Sequence, residues 1–405
     1  MRRTESIDTV IVGAGQAGLS MSYHLVQRGW PHVVLERGNG VGSTWRRERW
    51  DSFKLVTPNW QLQLPGFAYQ GGEPDGFLDK EGVLRYLAGY AASFDPPIKT
   101  GVEVRRVTRS SRGEGYTVLS DDVAFDARNV VMANGAFPVP SVPRMSAELP
   151  DRVHQIHSSQ YKNPRALPEG AVLVVGSGQS GTQIAQELAR SGRKVYLSVG
   201  SSLRTVRSYR GKDSSWWRNQ AGLYDVTVEE LAAAGKKPIT HPYIGIDLPA
   251  LAQATGMTLL GRVEAIRGRR IELAPDLNRK LMAADAELAS FMRFCDDLAA
   301  SSGLDLPVDT SPPPPATRSL PEILELDLDD AGVEVVVWST GYAFDAALID
   351  LPVWDEAGRP VQRRGVTACR GLYFLGLHYM HTQKSGLLFG VGDDAGFLAS
   401  HLTAR

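Results

Sequence analysis

The sequence predicts an α/β fold with two Rossmann-like dinucleotide-binding domains, the second inserted into the first and carrying a partly helical insertion. A Gly-x-Gly-x-x-Gly run closes a short apolar stretch at Gly13, Gly15 and Gly18, and the same run returns at Gly176, Gly178 and Gly181. Short apolar stretches alternate with helix-period ones around both runs, the grammar of a doubly wound parallel sheet. With 405 residues, 43% of them hydrophobic, the chain can form two or three layered units and bury a large ligand.

In the first unit, residues 9–12 read as a buried strand, 13–18 as a tight loop, 17–27 as a helix ending at Gly29, and His32–Glu36 as the second strand. Glycines at the three fingerprint positions allow a sharp bend, close backbone approach to a pyrophosphate, and tight helix packing, with the helix N-terminus facing the phosphates. Glu36 ends the second strand. A carboxylate there accepts hydrogen bonds from ribose hydroxyls and repels a 2′-phosphate, so this unit is expected to hold the adenosine half of FAD or NAD. The Met1-Arg2-Arg3 start and the apolar run behind it imitate a secretion signal, but the glycines fall at fingerprint positions and no cleavage-like site follows.

Residues 102–107 and 116–118 alternate like antiparallel strands, and 129–132 is an apolar strand running into Ala133, Asn134 and Gly135. The second unit then opens with a strand at Ala171–Val175, a loop at 176–181, a helix to about Ser191 and a strand at 194–198. Val199 takes the place of Glu36, and Ser198, Arg204 and Arg207 lie beside it. Nothing there repels a 2′-phosphate and a forked guanidinium binds one, so NADPH is the expected ligand, with NADH the alternative and a solvated basic loop the bland reading of the arginines.

Residues 277–300 show helical spacing, with Leu281, Leu288 and Phe291 apolar, and the prolines at 312–315 mark a loop; 212–320 therefore reads as an insertion. Two more strands, 334–338 and 372–376, enter glycine turns ahead of a last helix at about 394–402. They are expected to rejoin the first unit, giving 1–165 and 326–405 to that unit and 166–325 to the second.

The net charge of −1 offers no global field for nucleic acid, and no stretch is long and apolar enough to span a bilayer. Cys295 and Cys369 are far apart, which indicates neither a disulfide framework nor a dithiol centre. A cytoplasmic setting with small-molecule partners is expected, no nucleic acid and no membrane, and a homodimer is left open. No metal-ligand spacing and no Gly-x-Ser-x-Gly elbow occurs.

Two dinucleotide sites in one chain imply hydride transfer from nicotinamide to flavin, because a second pyridine nucleotide adds no chemistry. The Gly-Gln-Ala-Gly ending of the first fingerprint, the stretch Gly42-Ser43-Thr44-Trp45-Arg46, the second Gly-Ser-Gly-Gln-Ser-Gly and Thr340-Gly341-Tyr342 together resemble flavin-containing monooxygenases. That family carries Phe-x-Gly-x-x-x-His-x-x-x-(Phe/Tyr) between its nucleotide units. This sequence keeps His157 and Tyr161 but has Asp151 for the Phe and Val153 for the Gly, and its likeness is closer to bacterial flavoprotein relatives in which an Arg-Trp-Asp-Ser-Phe run, here 49–53, precedes a Thr-Pro-Asn-Trp run, here 57–60.

The resemblance implies FAD reduced by NAD(P)H, capture of O2 as a C4a-(hydro)peroxyflavin, and transfer of one oxygen atom to a small organic substrate at nitrogen or sulfur. Baeyer-Villiger oxidation of a ketone, or electron transfer to a quinone or protein, is the alternative. It also implies that Asn59 contacts NADP and shields the oxygenated flavin; a turn Asn after proline is the competing reading.

The expected cofactor-binding set is Gly13, Gly15, Gln16, Ala17, Gly18, Glu36, Arg37, Thr44, Trp45, Val104, Ala133 and Gly135 in the first unit. The second unit contributes Ser177, Gly178, Gln179, Ser180, Gly181, Ser198 and Arg204, and the returning segment Gly341, Ser385, Gly386 and Leu387. Trp45, Trp50, Trp60, Trp216 and Trp217 either wall a cleft or pack a core. His378, His381 and Lys384 either relay protons or satisfy a loop.

Overall fold

The computed structural model describes residues 3–111, 113–135, 139–200, 204–238, 247–307 and 319–404. The first sheet begins with β1 (Arg3–Val12), which leads through the fingerprint loop into α1 (Gln16–Val26) and β2 (His32–Glu36). After α2 (Lys80–Ala92) come β3 (Ile98–Thr100), the antiparallel pair β4 (Val104–Arg109) and β5 (Tyr116–Ser120), and β6 (Val123–Met132). The order is β3-β2-β1-β6-β5-β4. β1 is longer than its apolar part because its polar first half pairs in parallel with β6, from Arg3 opposite Val123 onward.

The second sheet is wholly parallel. It is built from β7 (His154–His157), β8 (Ala171–Val175), β9 (Val195–Ser198), β10 (Thr258–Leu260) and β11 (Val333–Trp338), in the order β7-β11-β8-β9-β10. α3 (Gln179–Arg190) crosses from β8 to β9 and buries Ile184, Ala185 and Leu188. All five residues of β8 are buried, which is the pattern of a central strand covered on both faces.

This corrects two expectations. Residues 334–338 do not rejoin the first unit: β11 lies between β7 and β8, with Val335 opposite Val172. An apolar strand entering a glycine turn suits either sheet, and only long-range pairing chooses between them. Nor is 212–320 a single insertion, since Thr258–Leu260 is the edge strand beside β9. The helical pieces are α4 (Ser214–Gln220), the short helices Val228–Ala233 and Leu248–Thr255, and α5 (Leu277–Ser301). The prolines at 312–315 lie outside the described residues.

The chain returns to the first sheet at β12 (Leu372–Phe374), which pairs with the C-terminal half of β6, and ends in α6 (Val391–Thr403). α6 lies along α1, where His24 Nε2 donates to the Gly392 carbonyl at 3.2 Å and Arg28 donates to Ser400 Oγ at 3.0 Å. Chain start and chain end therefore share one core with Val10, Ile11, Leu19, Leu398 and Leu402.

Candidate cofactor crevices and active site

Both fingerprints sit at the C-terminal end of a central strand, the end of an open α/β sheet where ligands characteristically bind. In the first, Gly13 has φ +104°, and an added Cβ would come within 2.6 Å of the Ala133 carbonyl oxygen; at Gly18 the added atom would lie 1.8 Å from the Gly13 oxygen. Both glycines are required by the fold. Gly15 is different, since its Cβ would meet nothing within 4 Å. Its smallness therefore answers no contact inside the protein.

The second crevice repeats the build. Gly176 has φ +106° with its added Cβ 2.4 Å from the Ser339 oxygen, and Gly181 would place one 2.0 Å from the Gly176 oxygen. Ala133 at the end of β6 and Ser339 at the end of β11 thus play the same part, crossing close above the first glycine. Ser177 is buried, Gln179 half-buried and Ser180 exposed at the head of α3, which Gly178 precedes in extended backbone.

Around the first crevice, Gln16 Nε2 donates to the Gly386 carbonyl at 2.7 Å, and the turn at Gly376 approaches so closely that a Cβ there would lie 2.7 Å from Ala17 Cβ. Gln16, Ala17, Ser385, Gly386 and Leu387 are therefore brought together. Glu36 is 6% exposed; its carboxylate accepts from Ala14 N at 2.9 Å, Gly38 N at 2.7 Å and Ser43 Oγ at 2.6 Å, so it ties the fingerprint loop to the helix Ser43–Glu48.

Arg37 and Thr44 are exposed on that rim, Arg37 paired with Glu48 at 2.9 Å. Trp45 packs edge-on against Phe53 under the Arg49 guanidinium. Val104 is in the antiparallel pair, while the backbone that crosses next to Glu36 is Gly101–Val102, with Val102 N donating to the Glu36 carbonyl at 2.9 Å. Gly135 follows β6 with φ +93°.

Three residues stand differently from expectation. Arg204 is 4% exposed and donates to Asp247 (2.8 and 2.7 Å) and Asp285 (2.8 Å), so two carboxylates hold its guanidinium. The cation beside Val199 is Lys280, which donates to its carbonyl at 2.5 Å and pairs with Asp276 at 2.7 Å. Helical spacing marks the turn carrying Lys280 but not what it faces. Ser198 Oγ donates to Gly261 O at 2.9 Å and so is spent on the turn after β10. Asn59 is 3% exposed, donating to the Glu73 carbonyl and accepting from Leu78 N, both at 2.9 Å; it staples its own loop.

His157, Gly341 and Tyr342 meet where the units cross. His157 Nε2 donates to the Gly341 carbonyl at 3.0 Å, Nδ1 accepts from Ser159 N at 3.2 Å, and the Tyr342 ring stands edge-on at 4.9 Å. Burial holds the imidazole below its ordinary pKa. Tyr161 Oη donates to Glu187 on α3 at 2.9 Å, and its ring packs near Trp50. Trp217 is fully buried, packs with Trp216, Tyr209 and Cys295, and donates to the Tyr209 carbonyl, so it belongs to the core of the α4–α5 layer.

Segments from both units converge beside Gly386. Trp60 and Tyr224 flank Phe389 at 6.5 and 4.9 Å, and Lys384 pairs with Asp225 at 2.7 Å and Asp393 at 2.8 Å. Val228 N donates to the His381 carbonyl at 2.8 Å. None of these pairings between 224–228 and 381–393 is legible as periodicity.

A family of pyridine nucleotide-disulphide oxidoreductases matches residues 10–231. An uncharacterized CzcO-like oxidoreductase of Geobacillus kaustophilus is 33% identical over 398 residues, 98% of each chain. The CzcO oxidoreductase of Bacillus subtilis is 30% identical over 400 residues, covering 98% of this chain and 99% of its own. Among solved structures, a flavin monooxygenase from Stenotrophomonas maltophilia, a double mutant, superposes with a TM-score of 0.68 at 20% identity over 99% of both chains. The two-domain α/β architecture expected from the fingerprints is therefore present, and the chain is an oxidoreductase belonging to the pyridine nucleotide-disulphide oxidoreductase family, with the fold of a flavin monooxygenase.

Proposed function

We propose that the protein is an FAD- and NAD(P)H-dependent monooxygenase that adds one oxygen atom to nitrogen or sulfur of a small organic substrate. One observation carries the reading: two glycine-fingerprint turns of the same build, one in each of two sheets, in a chain whose cysteines cannot serve as a dithiol. Cys295 and Cys369 are separately buried, Cys295 in the α4–α5 layer and Cys369 in the first core, and burial pushes the Cys295 thiol up to about 12.

FAD, when bound and reduced by NAD(P)H, supplies the means of activating O2. The chain's own residues bind and exclude water. The Gly13–Gly18 turn and the first amides of α1 receive the FAD pyrophosphate, with Glu36 at the ribose end of β2. The Gly176–Gly181 turn and α3 receive that of the nicotinamide nucleotide, and Gly376 and Gly386 bring backbone against the first crevice. NADPH is the expected reductant, with NADH the alternative, and Arg204, held by two carboxylates, is not what carries that preference.

The test is oxygen accounting. Purified protein is reduced anaerobically with NADPH or NADH, mixed with 18O2, and offered an amine, a thioether and a ketone. One 18O in an N-oxide or sulfoxide supports the proposal; 18O in an ester moves the chemistry to Baeyer-Villiger oxidation. Flavin reduction with no 18O in any product, and electrons passing instead to a quinone, overturns it.

A further inference from the structure

Buried polar atoms without hydrogen-bond partners are uncommon in folded proteins, and each asks for an explanation. Four of them fall within the twelve residues 207–218: Arg207 Nη2, Ser214 Oγ, Ser215 Oγ and Arg218 Nε. Ser214, Ser215 and Arg218 lie on α4, and Arg207 immediately precedes the short antiparallel pair that leads into it. Ser214 N donates to the Arg207 carbonyl at 2.9 Å, and Ser214 and Arg218 are four residues apart on α4, hence on one face.

This segment of the second unit rests on the first. Arg207 Nη1 donates to the Val56 carbonyl at 2.7 Å, and its guanidinium lies 3.9 Å over the Phe77 ring. The same 56–61 loop carries Gln61, 1% exposed, with both amide atoms unpartnered. Asp213 answers one edge of Arg207 at 2.9 Å, yet burial still holds the guanidinium below its ordinary pKa, so that charge is only partly compensated. Arg218 stands 5.6 Å over Phe291. Tyr224 stands edge-on to Phe389, three residues past Gly386, whose carbonyl accepts from Gln16 of the first fingerprint.

Two guanidinium groups and a hydroxyl, each with an unmet hydrogen-bonding atom among aromatic rings, suit an oxyanion carried on an apolar body. We propose that this junction is the substrate chamber, and that Arg207, Ser214 and Arg218 receive the carboxylate of an organic acid whose oxidisable atom sits on the apolar part. The assignment rests on the oxygenase reading for what happens to that acid, but not for its binding. The balanced reaction for a thioether acid is R2S + NADPH + H+ + O2 giving R2SO + NADP+ + H2O.

The probe is (phenylthio)acetate against its neutral isostere 2-(phenylthio)acetamide, titrated calorimetrically into the protein as purified. The carboxylate is expected to bind about tenfold tighter or more. Arg218→Gln and Arg207→Gln are each expected to bring the two ligands within about twofold, Arg218→Lys to keep part of the preference, and Arg267→Gln, at an exposed ion pair with Glu272, to leave it unchanged.

Equal binding of acid and amide by the unaltered protein overturns the inference, as does a preference that survives both Gln variants in folded protein. Variants that weaken NADPH but not NADH, with the acid preference intact, assign the arginines to the nucleotide phosphate and also overturn it. Failure of the oxygenase reading shows separately, as acid-selective binding with no 18O transfer.

Discussion

Gln16, the first residue of α1, donates from Nε2 to the carbonyl of Gly386 at 2.7 Å, across 370 positions of sequence. This bond ties the first fingerprint to the last turn of chain before α6, so the crevice has a floor from one end of the sequence and a wall from the other. Gln16→Ala is expected to lower retained flavin severalfold with little change in thermal midpoint, read as the 450 nm to 280 nm absorbance ratio after gel filtration. A flavin content equal to the parent's would remove Gln16 from the site.

Gly13→Ala and Gly15→Ala separate folding from binding. Alanine at Gly13 meets both the left-handed φ and the Ala133 oxygen, so it is expected to cost about 1–3 kcal/mol of stability and abolish FAD retention. Alanine at Gly15 finds open space inside the protein and is expected to leave the flavin-free melting temperature nearly unchanged while FAD affinity falls. Equal destabilisation by the two variants, measured by urea unfolding after flavin removal, would contradict the distinction.

Arg204→Ala is expected to act on stability rather than on nucleotide choice. Removing it strands Asp247 and Asp285, which are partly open to water at 32% and 22% exposure; that reduces the cost of a stranded buried charge to about 1–3 kcal/mol. The ratio of kcat/KM for NADPH over NADH should stay within about twofold of the parent's, a difference of under 0.5 kcal/mol. A selective loss with NADPH would return Arg204 to the phosphate.

Asn59→Ala removes bonds to the Glu73 carbonyl and Leu78 N and is expected to lower stability by about 1–3 kcal/mol. Flavin reduction by NADPH should survive if the side chain only staples its loop. Unchanged stability with fast loss of reducing equivalents as hydrogen peroxide would instead support a role beside the flavin.

His24, His32 and His157 are all held below the ordinary histidine pKa, by burial first. At His32, Nδ1 donates to the Trp30 carbonyl at 2.8 Å and Nε2 accepts from Ser22 Oγ at 2.7 Å, so added protons have no acceptor to meet. Because the unfolded chain binds these protons more readily, stability is present above the unfolded pKa near 6.5 and is lost as pH falls from there toward the lower folded values. The urea midpoint should therefore drop between pH 7.5 and 5.5, and His32→Asn should flatten part of that slope. A midpoint that rises on acidification would refute the sign.

Much of the frame was legible. The glycine positions, the apolar strand behind each, and Glu36 as the end of β2 need only local information, because a sharp strand-to-helix turn admits few residues and a buried parallel strand must be apolar throughout. The same local rule could not say that β11 joins the second sheet, since an apolar strand pairs with whichever partner the chain brings to it. Likewise, Arg204 has the composition of a phosphate ligand, and only the approach of Asp247 and Asp285 occupies its guanidinium.

The sequence by itself determined that two nucleotide-type fingerprint turns occur in one chain and that no dithiol pair accompanies them. Backbone sterics and cysteine number are properties of the string. Tertiary structure alone decided what surrounds those crevices: the Gln16 to Gly386 bond, the stapling of Asn59, and the meeting of Arg207 with Val56 and Phe77. Each joins residues whose separation in sequence carries no periodic signal. Burial and electrostatic partnering depend on position in space, so the charge of an arginine is readable from the chain and its occupation is not.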